Sequence, residues 1–361
     1  MAAGTLKAVQ SGTAQIAAGS ASGTATITAA VIANSIVDFS YQCATGVSYP
    51  QTFGDVTVTF TNTTTLTFTR GVATSSPVLN IIWYVSEFTS GVTVQRGSAS
   101  MTATTVNVTL SPAVVVANSW PIVNSRTTSD ISESGPDSST WVQAAITSTT
   151  NLALVIASYD TTTTTVGWQV VQYDNATTAL YTTTFARLTI SGTQTITAVT
   201  TTKALIYATW NWTEDVMLAS RYPRMYLTNA TTITFSTFPS EGTKEIKSYS
   251  IDISDAVTVQ RADSAVASGN TTTNVTLTAV VTANAMAHVT SPLDNTNGSC
   301  AYTTDGRYSR NFHSGQITST TNLALVRAES GTAATLAWEE IEWVAGAVAA
   351  ANITFQVILL A

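Results

Sequence analysis

The chain has few charged groups. Asp, Glu, Lys and Arg make up 10% of 361 residues, against roughly 25% in an ordinary globular protein. The 14 Lys and Arg do not cluster, and the net charge is −7, so there is no basic footprint for nucleic acid. Histidine occurs twice, at His288 and His313, which excludes a His-x-x-x-His pair and any Cys/His spacing that would hold a metal. Cysteine also occurs twice, at Cys43 and Cys300. There is no CxxC, and the two sulfurs are either free, partly buried thiols or a bridge that needs the first and last quarters of the chain to pack closely. With 8 prolines in all, no Pro-rich spacer separates one part from another. No apolar run approaches the roughly 18 residues of a membrane-crossing helix. The start, Met1-Ala2-Ala3-Gly4-Thr5-Leu6-Lys7, lacks the basic and apolar regions of a secretory signal, and synthesis in a cytosol is expected. No Gly-x-Ser-x-Gly elbow or Gly-rich phosphate loop is present.

What fills the space is Thr, Ser, Asn, Ala, Val and Ile, with 44% hydrophobic residues. β-Branched side chains are stiff at χ1 and fit a pleated surface, so the composition favours strands. Short alternating runs, such as Val56-Thr57-Val58-Thr59-Phe60 and Leu66-Thr67-Phe68-Thr69, are set between Gly, Ser, Asn and Thr clusters, the pattern of closely spaced antiparallel strands.

These runs recur. Leu66, Leu152, Ile233 and Leu323 follow one another at 86, 81 and 90 residues, and Trp83, Trp168, Tyr249 and Trp338 at 85, 81 and 89. Two markers in one phase make a repeat of about 85 residues. The fold expected is all-β: four tandem antiparallel β-sandwiches, immunoglobulin-like or jelly-roll-like. The expected limits are 1–90, 91–176, a divergent 177–255, and 256–343, with 344–361 left as a C-terminal strand or arm. The segment 146–155 recurs almost verbatim at 317–326, whereas Thr61-Asn62-Thr63-Thr64-Thr65 resembles Thr228-Asn229-Ala230-Thr231-Thr232. The structural block is therefore either a pair of repeats, duplicated, or four equivalent beads. Joints as short as Thr89-Ser90-Gly91 predict neighbours packed as a stiff rod or a compact stack.

On the closing strand, Trp83, Val85 and Glu87 face one way and Tyr84, Ser86 and Phe88 the other. The rings either plug each inter-sheet core or form an aromatic platform. Trp210 and Trp212 share a strand face near Asn211, Thr213 and Glu214, and Trp210, Trp212 and Glu214 are the candidate ligand surface. Glu340 and Glu342 also share a face. Paired carboxylates serve glycoside chemistry, but the equivalent positions in other repeats are not acidic, so a solvated or interface face is expected. His313 is expected to face solvent or bond locally. Asp130, Glu133 and Asp137 do not have the spacing of a calcium loop. No cofactor, metal or catalytic residue is expected. In the tail, Ile353, Phe355, Val357 and Leu359 alternate as one apolar strand face. It either completes the last sandwich or exchanges with a neighbouring subunit.

The opening Val94-Gln95-Arg96-Gly97, a strand such as Ala25-Thr26-Ile27-Thr28, the Thr-Asn-x-Thr-Thr hairpin and an aromatic closing strand together resemble tandem repeats in structural proteins of tailed bacteriophages. The resemblance covers most of the chain, and the third repeat departs from it by lacking Val-Gln-Arg. It implies a non-enzymatic virion protein, made in host cytoplasm, serving as capsid decoration, head fibre or tail component. Its implied partners are other virion proteins and further copies of itself. The alternative reading is a receptor- or carbohydrate-binding adhesin or tail-fibre module that takes a host-surface glycan through Trp210 and Trp212. The chain's charge and hydropathy lead to no expectation of nucleic acid or membrane insertion. The resemblance carries no catalytic residues.

Overall fold

The computed structural model describes residues 4–43, 56–73, 76–128, 141–157, 164–186, 189, 191–212, 223–236, 243–255, 257–290, 313–331 and 333–343. The chain is all-β. A first module contains β1 (Thr5–Ile16), β2 (Ser22–Thr26), β3 (Ser35–Cys43), β4 (Val56–Asn62), β5 (Thr65–Arg70) and β6 (Leu79–Ser90). The second contains β7 (Val92–Met101), β8 (Thr105–Thr109), β9 (Ser119–Thr127), β10 (Gln143–Ser148), β11 (Asn151–Val155) and β12 (Thr164–Tyr173). The third contains β13 (Ala176–Phe185), β14 (Ser191–Thr195), β15 (Ala204–Trp212), β16 (Arg224–Asn229), β17 (Thr232–Ser236) and β18 (Lys244–Ile253). The fourth contains β19 (Val257–Val266), β20 (Thr272–Thr276), β21 (Ala285–Thr290), β22 (Ser314–Ser319), β23 (Asn322–Val326) and β24 (Ala334–Trp343).

Each module forms two three-stranded antiparallel sheets. In the first, the orders are β1-β6-β3 and β2-β5-β4, and the other three modules repeat both orders strand for strand. The sheets face each other across a core made by alternation. In module one, Ile16, Val37, Leu79, Ile81, Trp83 and Val85 of one sheet meet Ala25, Val56, Leu66 and Phe68 of the other. The marker residues Leu66, Leu152, Ile233 and Leu323 are all fully buried in such cores. Two further buried side chains close the sandwich ends. Arg70 donates to the carbonyls of Ser20, Pro77 and Ala17, and Arg327 to those of Asn270 and Ala267. Both satisfy loop carbonyls that burial would otherwise leave unpaired.

The aromatic markers need one correction. Trp83 pairs with Gly12, Trp168 with Gly97 and Trp338 with Ala262. In the third module the residue in register is Ser248, opposite Tyr181, and Tyr249 lies one position out of phase. Size is conserved across the pair rather than at a position. A Cβ on Gly12 would come within 2.6 Å of the Trp83 ring, and one on Gly97 within 2.7 Å of Trp168. In module three the large ring has moved to the partner strand, where Tyr181 packs on the local core. Tyr249, being out of phase, faces away from that core.

It faces the centre of the molecule. The outward faces of the sheets containing β6, β12, β18 and β24 converge on one hydrophobic cluster drawn from all four modules. Phe88 meets Tyr173 edge-on at 5.8 Å and Trp343 at 5.1 Å, while Tyr173 stacks on Trp343 at 5.8 Å. Of the two expected arrangements a stiff rod does not describe the chain, because module one packs compactly against module four. Burying the second face of each sheet requires the row of modules to bend until its ends meet.

Candidate functional site

Strand registers fix which residues are equivalent around the ring. Ser35, Ser119, Ala204 and Ala285 lie opposite Glu87, Gln172, Asp252 and Glu342 at matching points of the closing strands. Five residues further along come Ser40, Asn124, Thr209 and Thr290. Each accepts a hydrogen bond from a backbone N–H of the preceding module. Gly315 donates to Ser40 at 3.3 Å, Val58 to Asn124 at 3.4 Å, Ala144 to Thr209 at 2.9 Å and Met225 to Thr290 at 3.1 Å. Module one reaches module four, so the set closes on itself.

A second set lies on the closing strands, one residue past the Trp/Ser248 position: Tyr84, Gln169, Tyr249 and Glu339. Ile317 N–H donates to Tyr84 at 3.0 Å, and Ile146 N–H to Tyr249 at 3.1 Å. Gln169 accepts from Val37 N–H at 3.1 Å and donates to its carbonyl at 2.9 Å. Glu339 accepts from Ile206 N–H at 3.3 Å. The direction is the same around the ring, but the chemistry alternates with a two-module period. The arginines alternate likewise: Arg96 reaches the carbonyls of Ile32 and Ser35, and Arg261 those of Thr201 and Ala204.

Three residues past Ser35 and its equivalents stand Asp38, Ile122, Tyr207 and His288. These four line one cavity of about 280 Å³ at the meeting point of the modules. Here the repeat is broken chemically. The Tyr207 hydroxyl donates to Asp38 Oδ2 at 3.1 Å, His288 Nδ1 lies 2.9 Å from the same oxygen, and Phe39 N–H donates to Oδ1 at 2.8 Å. Burial works against charge on His288, but the Asp38 carboxylate outweighs it and the imidazole pKa is raised. Burial, and then the same carboxylate, hold the Tyr207 hydroxyl protonated far above its ordinary range. Three of the roughly four acceptor positions of Asp38 are thus taken by the protein. The cluster anchors three modules.

The cavity walls are aromatic. Trp141 stacks on Trp210 with centroids 6.1 Å apart and planes at 22°, and Phe39 stacks on Tyr41 at 6.2 Å. Trp210 is therefore half-buried against its own module and the ring of Trp141, not on an open strand face. The backbone of Trp212 pairs with Lys244. Its side chain and Glu214 lie outside the described residues, as do Cys300, Asp130, Glu133, Asp137 and the tail residues Ile353, Phe355, Val357 and Leu359. Cys43 is a buried thiol whose pKa burial pushes up to about 12.

The acidic strand also differs from expectation. Glu340 is not solvated. It occupies the place of the core residues Val85 and Val170 and is fully buried. Desolvation, with a smaller effect from Glu342, pushes its pKa up to about 8, although Gln260 donates to it at 3.1 Å. Glu342 turns instead to Val281 N–H at 2.8 Å. The two carboxyls do not flank a common space. His313, expected to face solvent or to bond locally, is buried. Sequence reasoning weighed His288 only as a metal ligand and gave Asp38 and Tyr207 no role, because no shared residue type marks their position. The available signal was a polar or ionisable residue on the inward phase of an apolar strand.

No protein-family model and no curated protein matches the chain.

Proposed function

We propose that the protein is a non-enzymatic structural component of a virion, serving as capsid decoration, head fibre or tail part through protein–protein contacts. One observation carries the reading: the repeated polar positions are committed to holding the modules together. Ser40, Asn124, Thr209 and Thr290 clamp one neighbour each, all in the same sense. A rigid closed body with a Thr-rich, weakly charged exterior suits a part that docks passively on a shell or on further copies of itself, where apolar burial offsets the cost of association. The likeness of its Thr-rich hairpins and Val-Gln-Arg openings to phage repeats points the same way. On this reading the chain is made in host cytoplasm and ends in the particle.

The test is fractionation of virus-producing cells on a density gradient, with an antibody against this chain and immunogold imaging of the particle band. Co-sedimentation in fixed ratio to the major capsid protein, with label at one position on the particle, is the expected result. A chain confined to the soluble fraction refutes the assignment. A second reading, a carbohydrate-binding adhesin, is favoured by the stacked Trp141 and Trp210 beside polar groups in the central cavity.

A further inference from the structure

We propose that the cavity between modules one and two is a binding site for a small monocarboxylate with a compact apolar body, held by Arg96. The site is independent of where the chain resides, so it stands or falls apart from the virion assignment.

The two-module repeat shows what is missing there. Arg96 and Arg261 occupy one register position, opposite Gln169 and Glu339. Each reaches back to carbonyls of the preceding module, Arg96 to Ile32 and Ser35, Arg261 to Thr201 and Ala204. Beyond that they differ. Arg261 Nε donates to Glu339 Oε1 at 3.0 Å, and the other oxygen of Glu339 takes Ile206 N–H. At the equivalent place Gln169 commits its oxygen to Val37 N–H and its amide nitrogen to the Val37 carbonyl. No acceptor is left for Arg96. Both of its hydrogen bonds are made by Nη2. Among the described residues Nη1 has no partner, and Nε is buried without one.

The same exchange empties the space beside it. Between modules three and four, Arg224 pairs with Asp263 at 3.2 Å and lies over the Tyr226 ring. The register equivalents of Arg224, Asp263 and Tyr226 are Thr57, Ser98 and Thr59. Small side chains thus stand where large ones fill the other joint. A cavity of about 270 Å³ remains, walled by Val37, Val58, Phe60 and Arg96, with the exposed Thr59 and Ser98 at its rim.

Charge follows the same pattern. At the joint of modules three and four, two arginines face two carboxylates. At the joint of modules one and two, Arg96 stands alone, and no acid among the described residues lines the cavity. Burial lowers the Arg96 pKa to about 10, so the guanidinium keeps its charge at neutral pH. One fixed positive charge matches a monoanion, whereas a phosphate dianion would bring a charge in excess. A carboxylate oxygen on Arg96 Nε or Nη1 takes the part of Glu339 Oε1, as a charge-assisted hydrogen bond. Val37, Val58 and Phe60 cover what is attached to it, which favours an apolar body over a bare inorganic ion. The volume lies just below the usual range of ligand pockets, roughly 300–1,000 Å³, and limits that body to about one phenyl ring.

The experiment uses the full chain in low-chloride buffer, titrated with benzoate, its neutral isostere benzamide, and inorganic phosphate, and read by calorimetry and saturation-transfer NMR. Benzoate is expected to bind saturably in the millimolar range, with benzamide and phosphate at least about tenfold weaker, the worth of one hydrogen bond to a charged group. Gln169→Glu installs the carboxylate that module four carries at this place, and Thr59→Tyr installs the ring that module three carries. Each is expected to weaken benzoate binding at least about tenfold while the chain keeps a cooperative thermal transition. Arg96→Gln also removes binding but loosens the joint, which is why the two variants copied from the other joint carry the argument. Absence of a saturable benzoate response overturns the proposal. Equal binding of benzamide, tighter binding of phosphate, or a benzoate response unchanged in both variants overturns it as well.

Discussion

Glu340→Gln isolates a buried carboxyl that the fold holds neutral. In the native chain Glu340 faces the core of module four, with no exposure, and its pKa is pushed from 4.5 to about 8, chiefly by desolvation. An acid with a raised folded pKa binds its proton more tightly in the native state than in the unfolded chain. Its contribution is therefore fully present below about pH 4.5 and is lost as pH rises towards 8. At about 1.4 kcal/mol per pH unit, the whole window amounts to on the order of 5 kcal/mol. Gln has the same shape and keeps the contact with Gln260, but it has no proton to lose. The variant and the parent should melt together near pH 4, and the variant should be increasingly the more stable of the two up to about pH 8 and flat beyond it. Differential scanning calorimetry at half-unit pH steps reads the gap directly, and subtracting the parent removes the titration of every other group. Two Tm profiles that stay parallel from pH 4 to 9 would show that Glu340 is hydrated, and the placement of β24 against its own core would be wrong.

Other perturbations test the ring and its packing. Gly97→Ala places a Cβ within 2.7 Å of Trp168 and should cost about 1–3 kcal/mol by overpacking, seen as a lowered Tm; Gly97→Ala combined with Trp168→Phe should recover part of it. Gln169→Ala leaves the N–H and C=O of Val37 unpaired between modules one and two and should cost about 1–3 kcal/mol in a denaturant titration. Tyr84→Phe removes the hydroxyl that takes Ile317 N–H and should raise amide exchange at Ile317, across the contact where the ring closes, more than at the equivalent Ile146.

Much of the fold was legible because it is local. The alternation of Val56 to Phe60 and of Leu66 to Thr69, and the return of Leu152, Ile233 and Leu323, mark strands and a sandwich core without reference to anything distant. The opposed faces of the closing strand were also legible, since Trp83 and Val85 enter the module core while Tyr84 and Phe88 leave it. Ring closure was not legible, because it depends on which outward faces meet, and Phe88 carries no mark that its partners will be Tyr173 and Trp343. The position of Tyr249 was misread because its size matched the tryptophans, whereas the actual exchange put Tyr181 opposite Ser248. The acid pair misled because Glu340 and Glu342 look alike in sequence and are separated only by burial. The candidate site was least legible of all: Asp38, Tyr207 and His288 are 81 or more residues apart and share only a register position.

The closed ring is tested most directly by the solution radius of gyration from small-angle X-ray scattering. A chain of this length folded into one body should give about 21 Å, whereas four modules of the same size in line should exceed roughly 35 Å. A value near the first, unchanged across salt concentrations, is what closure of module four onto module one predicts. A value near the second would contradict it, and with it the shared centre on which the cavity depends.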